Sequence, residues 1–144
     1  MIVVGDTSGL VAAFNSRDPE HRAARKVLVE AALTVISPLV FLEIEHITTR
    51  NVGRRQALAI NDWLLSQERT GRIAIPAVPA ATLRIARAIQ NRYEALRLDL
   101  TDAVSVVVAE QYETDAVLTL DRRDFRALTP LTGAPAFRLL PDDS

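Results

Sequence analysis

The 144-residue sequence contains no cysteine, which excludes disulfides and thiolate zinc sites and fits a reducing cytosol. It also has no apolar run of the roughly 18 residues that a membrane helix needs, so no membrane partner is expected. The apolar start, Met1 to Phe14, has no basic leader and is interrupted by Gly5 and Asp6, so a signal peptide is not expected and a cytoplasmic location is. Aromatics are scarce: one Trp and two Tyr leave little with which to stack unpaired bases. No sign of charge dominates. The net charge is −1, so a nucleic-acid partner would have to be engaged by a local basic patch rather than by the chain as a whole. Lysine is nearly missing too, since Lys26 is the only one among 17 basic residues. Arginine's planar fork suits phosphate, but arginine also sits well on helix surfaces, and codon bias in a GC-rich genome accounts for most of the preference.

What remains has the balance of a globular chain, 49% hydrophobic and 24% charged, long enough to bury a core as one domain spanning residues 1–144. Short β-branched runs are expected as strands at Met1–Val4, Leu33–Ile36, Gly71–Ile75, Ala116–Leu120 and Ala136–Leu140. Between them lie helical patterns: Ser8 to Asn15, Leu39 to Thr49, Gly53 to Gln67, Pro79 to Asn91, and Thr101 to Tyr112, capped by Thr101. Asp18-Pro19 and Ser37-Pro38 each read as an N-cap followed by a first-turn proline, the former opening a helix to Ala31. A short helical turn follows Asp121. Strands alternating with helices imply a mainly parallel sheet covered on both faces, with sites at the carboxyl ends of its strands.

Four scattered acids fall where such a site forms. Asp6 and Asp121 stand just past expected strands, Asp102 at the start of the apolar helix, and Glu43 on the helix after the second strand. Asp6, Asp102 and Asp121 taken singly each read equally as helix caps. Glu43 does not, because on a helical wheel it lines up with Val40, Ile44 and Ile47, the stripe expected to face the core. A buried glutamate needs a partner, and the nearest one along the helix is His46. The other solution is a cluster of acids. Two like charges 4 Å apart repel by about 4 kcal/mol at an effective dielectric of 20, so such a cluster wants a cation. Oxygen donors without Cys or His favour Mg²⁺ or Mn²⁺. A carboxylate-bound divalent ion suits phosphodiester hydrolysis. Zinc chemistry would want more imidazoles than His21 and His46 supply, and His21 lies in the polar run Asp18–Arg22, which reads as solvated.

These residues carry a resemblance. Ile2-Val3-Val4-Gly5-Asp6-Thr7-Ser8 resembles the opening motif of PIN domains, and Ser37-Pro38-Leu39-Val40-Phe41-Leu42-Glu43 the second. Leu100-Thr101-Asp102-Ala103 and Leu118-Thr119-Leu120-Asp121-Arg122-Arg123-Asp124-Phe125 are similar to the third and fourth. The ordered set spans nearly the whole chain and is most similar to the VapC group of bacterial toxins. The resemblance implies a PIN-like three-layer α/β/α sandwich with about five strands. It also implies an Mg²⁺- or Mn²⁺-dependent endoribonuclease acting on structured RNA such as tRNA or rRNA, usually a homodimer, held inactive by a cognate VapB-like antitoxin. Asp6, Glu43, Asp102 and Asp121 carry over as metal ligands and catalytic acids, and Thr7, Ser8 and Thr119 as the hydroxyls that support them. Asp124 is the fallback for the fourth ligand. Asp99 is expected to be a surface acid, with an outer role at the metal as the alternative. Arg122, Arg123 and Arg126 either clamp RNA phosphates or form a solvated basic face. Three other readings compete. A phosphoacceptor domain would want adjacent acids after the first strand and a late lysine, neither of which is present. A non-catalytic scaffold has no reason to keep four acids. A DNA-directed nuclease of the same fold stays open, because the acids do not read the sugar.

Overall fold

The computed structural model describes residues 1–144. Five short strands form one all-parallel sheet: β1 (Ile2–Gly5), β2 (Leu33–Val35), β3 (Ile73–Ala74), β4 (Ala116–Leu118) and β5 (Arg138–Leu140), in the order β3-β2-β1-β4-β5. Seven helices connect them: α1 (Thr7–Phe14), α2 (His21–Glu30), α3 (Pro38–Asn51), α4 (Arg54–Arg69), α5 (Ala80–Arg92), α6 (Leu100–Gln111) and α7 (Arg122–Ala127).

Strand alternation sorts the core into two halves. Val3, Ala116, Leu118 and Leu140 point to one face, where they meet Leu10, Leu28, Val40, Ile44, Ile60 and Leu64 from α1 to α4. Their neighbours Val4, Val35, Val117 and Leu139 point to the other face, against Ala86, Ile89, Val104, Val108 and Phe125 from α5 to α7. Successive side chains leave a strand on opposite sides, so the continuous apolar runs in the sequence are what a sheet covered on both faces requires. The result is the expected α/β/α sandwich.

The chain steps outward from β1 to β2 to β3, then returns to the far side of β1 to lay down β4 and β5. Direction therefore reverses between β1 and β4, and a crevice opens beyond their carboxyl ends. Gly9 sets how closely α1 approaches the end of β4. A Cβ there would sit 2.5 Å from the carbonyl oxygen of Leu118, so only glycine lets α1 press directly on the end of β4. Gly9→Ala is expected to destabilise the domain by about 2–3 kcal/mol or more, through overpacking against rigid backbone; urea titration checks it, and an unchanged midpoint would mean the contact is soft.

Several local expectations are corrected. The second helix begins at His21, not at Asp18-Pro19: the Asp18 carboxylate accepts from the Glu20 amide at 2.8 Å and its carbonyl from the His21 amide, closing a turn before the helix. His21 is half-buried rather than fully solvated, and its Nδ1 meets the Ala12 carbonyl at 2.9 Å. The cap of α6 is Asp99, which accepts from the Asp102 amide at 2.9 Å, while Thr101 is buried inside the first turn. On α4, where the sequence offers Leu58, Ile60, Trp63, Leu64 and Leu65 as the apolar positions, only Ile60 and Leu64 of these face the core, together with Ala57, whereas Leu58, Trp63 and Leu65 are exposed. No helix is long and apolar enough to cross a membrane.

Candidate metal centre

Asp6 follows β1 and stands at the N-cap position of α1, yet its side chain makes no cap bond. Its Oδ2 instead accepts from Thr119 Oγ1 at 2.7 Å and from Ser8 Oγ at 2.9 Å. These two hydroxyls also accept from the chain leaving β4: Thr119 from the Asp121 amide and Ser8 from the Leu120 amide, both at 2.9 Å. Each hydroxyl thus spends its one proton on Asp6 and its lone pairs on backbone N–H groups. The loop that carries Asp121 is in this way tied to the carboxylate at the end of β1.

Asp102 lies in the first turn of α6 and Asp121 at the N-cap of α7, where its carboxylate accepts weakly from the Asp124 amide at 3.4 Å. Carboxylate oxygens of Asp102, Asp121 and Asp124 lie within 4.8 Å of one another. Asp102 also faces Asp6. Only 3% of Asp6 and 8% of Asp102 is exposed. Burial, and after it the charges of Asp6 and Asp99, push the Asp102 carboxyl up to about 9. Burial raises Asp6 too, against the opposing pull of the Thr119 and Ser8 hydroxyls and of a hydrogen bond from Asp102. Asp124 is raised by burial and by the neighbouring Asp121 charge. Without a cation, Asp6 and Asp102 share a proton near neutral pH, as closely spaced buried carboxylates do.

Glu43 stands differently from expectation. The buried stripe of α3 is Val40, Ile44 and Thr48, and Glu43 lies half-buried beside it. Its partner is not His46, which is exposed, but Thr7, whose hydroxyl donates to Glu43 Oε1 at 2.6 Å. That bond places Glu43 next to the start of α1, one residue along from Asp6, but outside the tight trio of acids. Asp99 is exposed and acts as the α6 cap. Asp124 joins the trio, a place the sequence left as a fallback. The arginines divide. Arg122 is paired with Asp142 and Glu20, and Arg126 with both oxygens of Asp143 at 2.7 Å, while Arg123 is exposed and forms no ion pair. Nothing in the spacing foretold the partners, which lie 17 to 102 residues away along the chain.

An open parallel sheet with buried acids gathered at the point where its strand order reverses defines a class of carboxylate-bearing α/β proteins. The chain belongs to the PIN domain family, whose pattern its residues 3–129 match. It is 34% identical over 137 residues to Ribonuclease VapC26 of Mycobacterium tuberculosis, covering 94% of this chain and 98% of that protein. Among solved structures it is similar to the M. tuberculosis toxin VapC20, described as cleaving the sarcin-ricin loop. That match has a TM-score of 0.79 at 24% identity and covers 94% of this chain and 100% of the other. A toxin–antitoxin complex from Klebsiella pneumoniae matches with a TM-score of 0.60 at 18% identity, covering 89% of this chain and 97% of that one. At these identities the two structures establish the fold.

Proposed function

We propose that this chain is a divalent-metal-dependent endoribonuclease, the toxin half of a VapBC-type pair, with residues 1–144 forming one PIN domain. Membership of the PIN family and likeness to a named ribonuclease over nearly the whole chain support the activity. The extent of the domain is supported by β5, which lies beyond residue 129 yet completes the sheet beside β4. The observation that carries the chemistry is the trio Asp102, Asp121 and Asp124, with Asp6 against Asp102, at the carboxyl ends of β1 and β4.

The donor set fits a hard cation: every candidate ligand is a carboxylate oxygen, and no imidazole or thiol belongs to the cluster. Asp6, Asp102, Asp121 and Asp124 would hold Mg²⁺ or Mn²⁺, with Glu43 beside them. When bound, such an ion lowers the pKa of water, polarises a phosphoryl oxygen and offsets charge on the leaving group. The chain's own residues prepare for that. Ser8 and Thr119 fix the orientation of the Asp6 carboxylate, and Thr7 does the same for Glu43. Asp102 retains a proton until a cation takes its place. Arg123, the unpaired arginine of its run, is free to meet a phosphate.

The substrate is structured RNA of the tRNA or rRNA kind, and the working form is a cytoplasmic homodimer restrained by a VapB-like antitoxin. The test is cleavage of structured RNA by purified protein in Mg²⁺ or Mn²⁺, with matched DNA as the competing substrate. Asp6→Asn and Glu43→Gln are expected to lower the rate by about a hundredfold or more with the fold intact by circular dichroism, since each removes a charged oxygen where metal and phosphate meet. Full activity in both variants would overturn the assignment, and cleavage of DNA alone would redirect the substrate.

A further inference from the structure

The helix that carries Asp121 and Asp124 is short. Helix α7 spans six residues, too few to hold itself in water, so the directions of its acids must be set from outside. Its far end is anchored by Phe125, buried against Phe137 with ring centroids 5.9 Å apart. The near end, where Asp121 stands, has a different fastening. Arg122 Nε and Nη2 donate to the two oxygens of Asp142, Nη2 donates also to Glu20, and Nη1 reaches the Leu120 carbonyl at 3.4 Å. Four of its five N–H groups are spoken for, and its side chain is 42% exposed.

The acceptors are themselves held in place. The chain after β5 folds back so that the Asp143 amide donates to the Leu139 carbonyl, and the Asp143 carboxylate accepts from the Leu139 amide at 2.8 Å. Glu20 closes the turn that precedes α2. One guanidinium therefore joins three segments that are remote in sequence: the start of α7, the turn between α1 and α2, and the chain beyond β5.

We propose that Arg122 is a positioning residue for the metal centre, a clip that orients Asp121 and Asp124, and not a contact for the RNA backbone. The proposal rests on the metal-dependent reading of the site. An RNA phosphate would have to displace two carboxylates to reach this guanidinium, whereas Arg123 next to it is unencumbered. Ion pairs this exposed are individually weak, so the clip governs the geometry of its neighbours more than the stability of the whole domain.

The test measures Mn²⁺ binding to the full chain by titration calorimetry, together with RNA cleavage at several Mn²⁺ concentrations. Arg122→Ala, and the double variant Glu20→Gln with Asp142→Asn that keeps Arg122 but removes its anchors, are each expected to weaken Mn²⁺ about tenfold. Their melting temperatures in EDTA are expected to stay near that of the parent. Excess Mn²⁺ is expected to restore kcat while KM for RNA stays unchanged. Parental Mn²⁺ affinity in the double variant would overturn the proposal even if Arg122→Ala fails to fold. So would a raised KM that Mn²⁺ does not rescue, which would make Arg122 an RNA contact. A parent chain that binds no Mn²⁺ at all would instead bring down the metal reading itself, and the clip with it.

Discussion

Asp102→Asn is expected to abolish RNA cleavage and, in the same protein, to stabilise the metal-free fold. The two effects have one cause. Asp102 is buried beside Asp6, and its carboxyl is pushed up to about 9 by that burial and by neighbouring charge, from an ordinary value near 4. Between those two pH values the folded chain keeps a proton that the unfolded chain has released. Stability of the metal-free protein therefore falls as pH rises from about 4 to about 9. Near pH 7 the accumulated cost is on the order of a few kcal/mol. Asparagine has nearly the same shape and no charge to desolvate, so the variant escapes that penalty. Its cap partner is untouched, because Asp99 accepts from the backbone amide and not from the side chain of residue 102. Denaturation in EDTA at pH 5 and pH 8.5 decides the matter: the parent is expected to lose stability between them by more than the variant does. Equal pH dependence, or cleavage surviving in the variant, would show that Asp102 is not the strained acid of the site.

The second large effect concerns the cation. The Asp102 carboxyl, pushed up to about 9 by burial and by the neighbouring Asp6, holds a proton near neutral pH that a divalent ion must expel to occupy the cluster. Mn²⁺ affinity is accordingly expected to tighten as pH rises from 6 to 9, with about one proton released per ion near neutrality. Calorimetry in two buffers of different ionisation enthalpy measures that release directly. At a hundredfold excess over its dissociation constant the ion is worth about 2.7 kcal/mol to the fold, or roughly 5–10 °C in melting temperature for a domain of this size. Chelation is expected to reverse the shift and stop cleavage together. Affinity independent of pH would mean that the cluster is already ionised, contrary to its burial.

Secondary structure was legible because its causes are local. The β-branched runs, the Ser37-Pro38 cap and the apolar helix after Thr101 are marked by period and by turn chemistry, and the Ser37 cap bond to the Leu39 amide is present at 3.1 Å. Where two local signals compete, the neighbouring backbone groups decide between them. Asp18-Pro19 looks like a helix start, but its carboxylate closes a turn two residues on, and the helix waits for His21. Thr101 looks like a cap, yet Asp99 reaches the third amide of the same turn. A helical wheel groups Glu43 with Val40, Ile44 and Ile47, whereas the buried positions of α3 are Val40, Ile44 and Thr48, four residues apart, which leaves Glu43 and Ile47 half-buried beside them.

By itself, the sequence determined the parallel α/β layering, the family and which acids stand just past the strand ends, since a side chain's chemistry and its distance past a strand are both written along the chain. Only the tertiary structure decided which acids meet. Asp124 enters the trio because the first turn of α7 brings it round to Asp121, and Glu43 stays at its edge because Thr7 holds it there. It also decided the fate of the arginines, whose partners at Glu20, Asp142 and Asp143 are remote in sequence and near only after β5 has taken its place beside β4. Pairing across such distances depends on how the chain closes in space, and the order of residues carries no local trace of it.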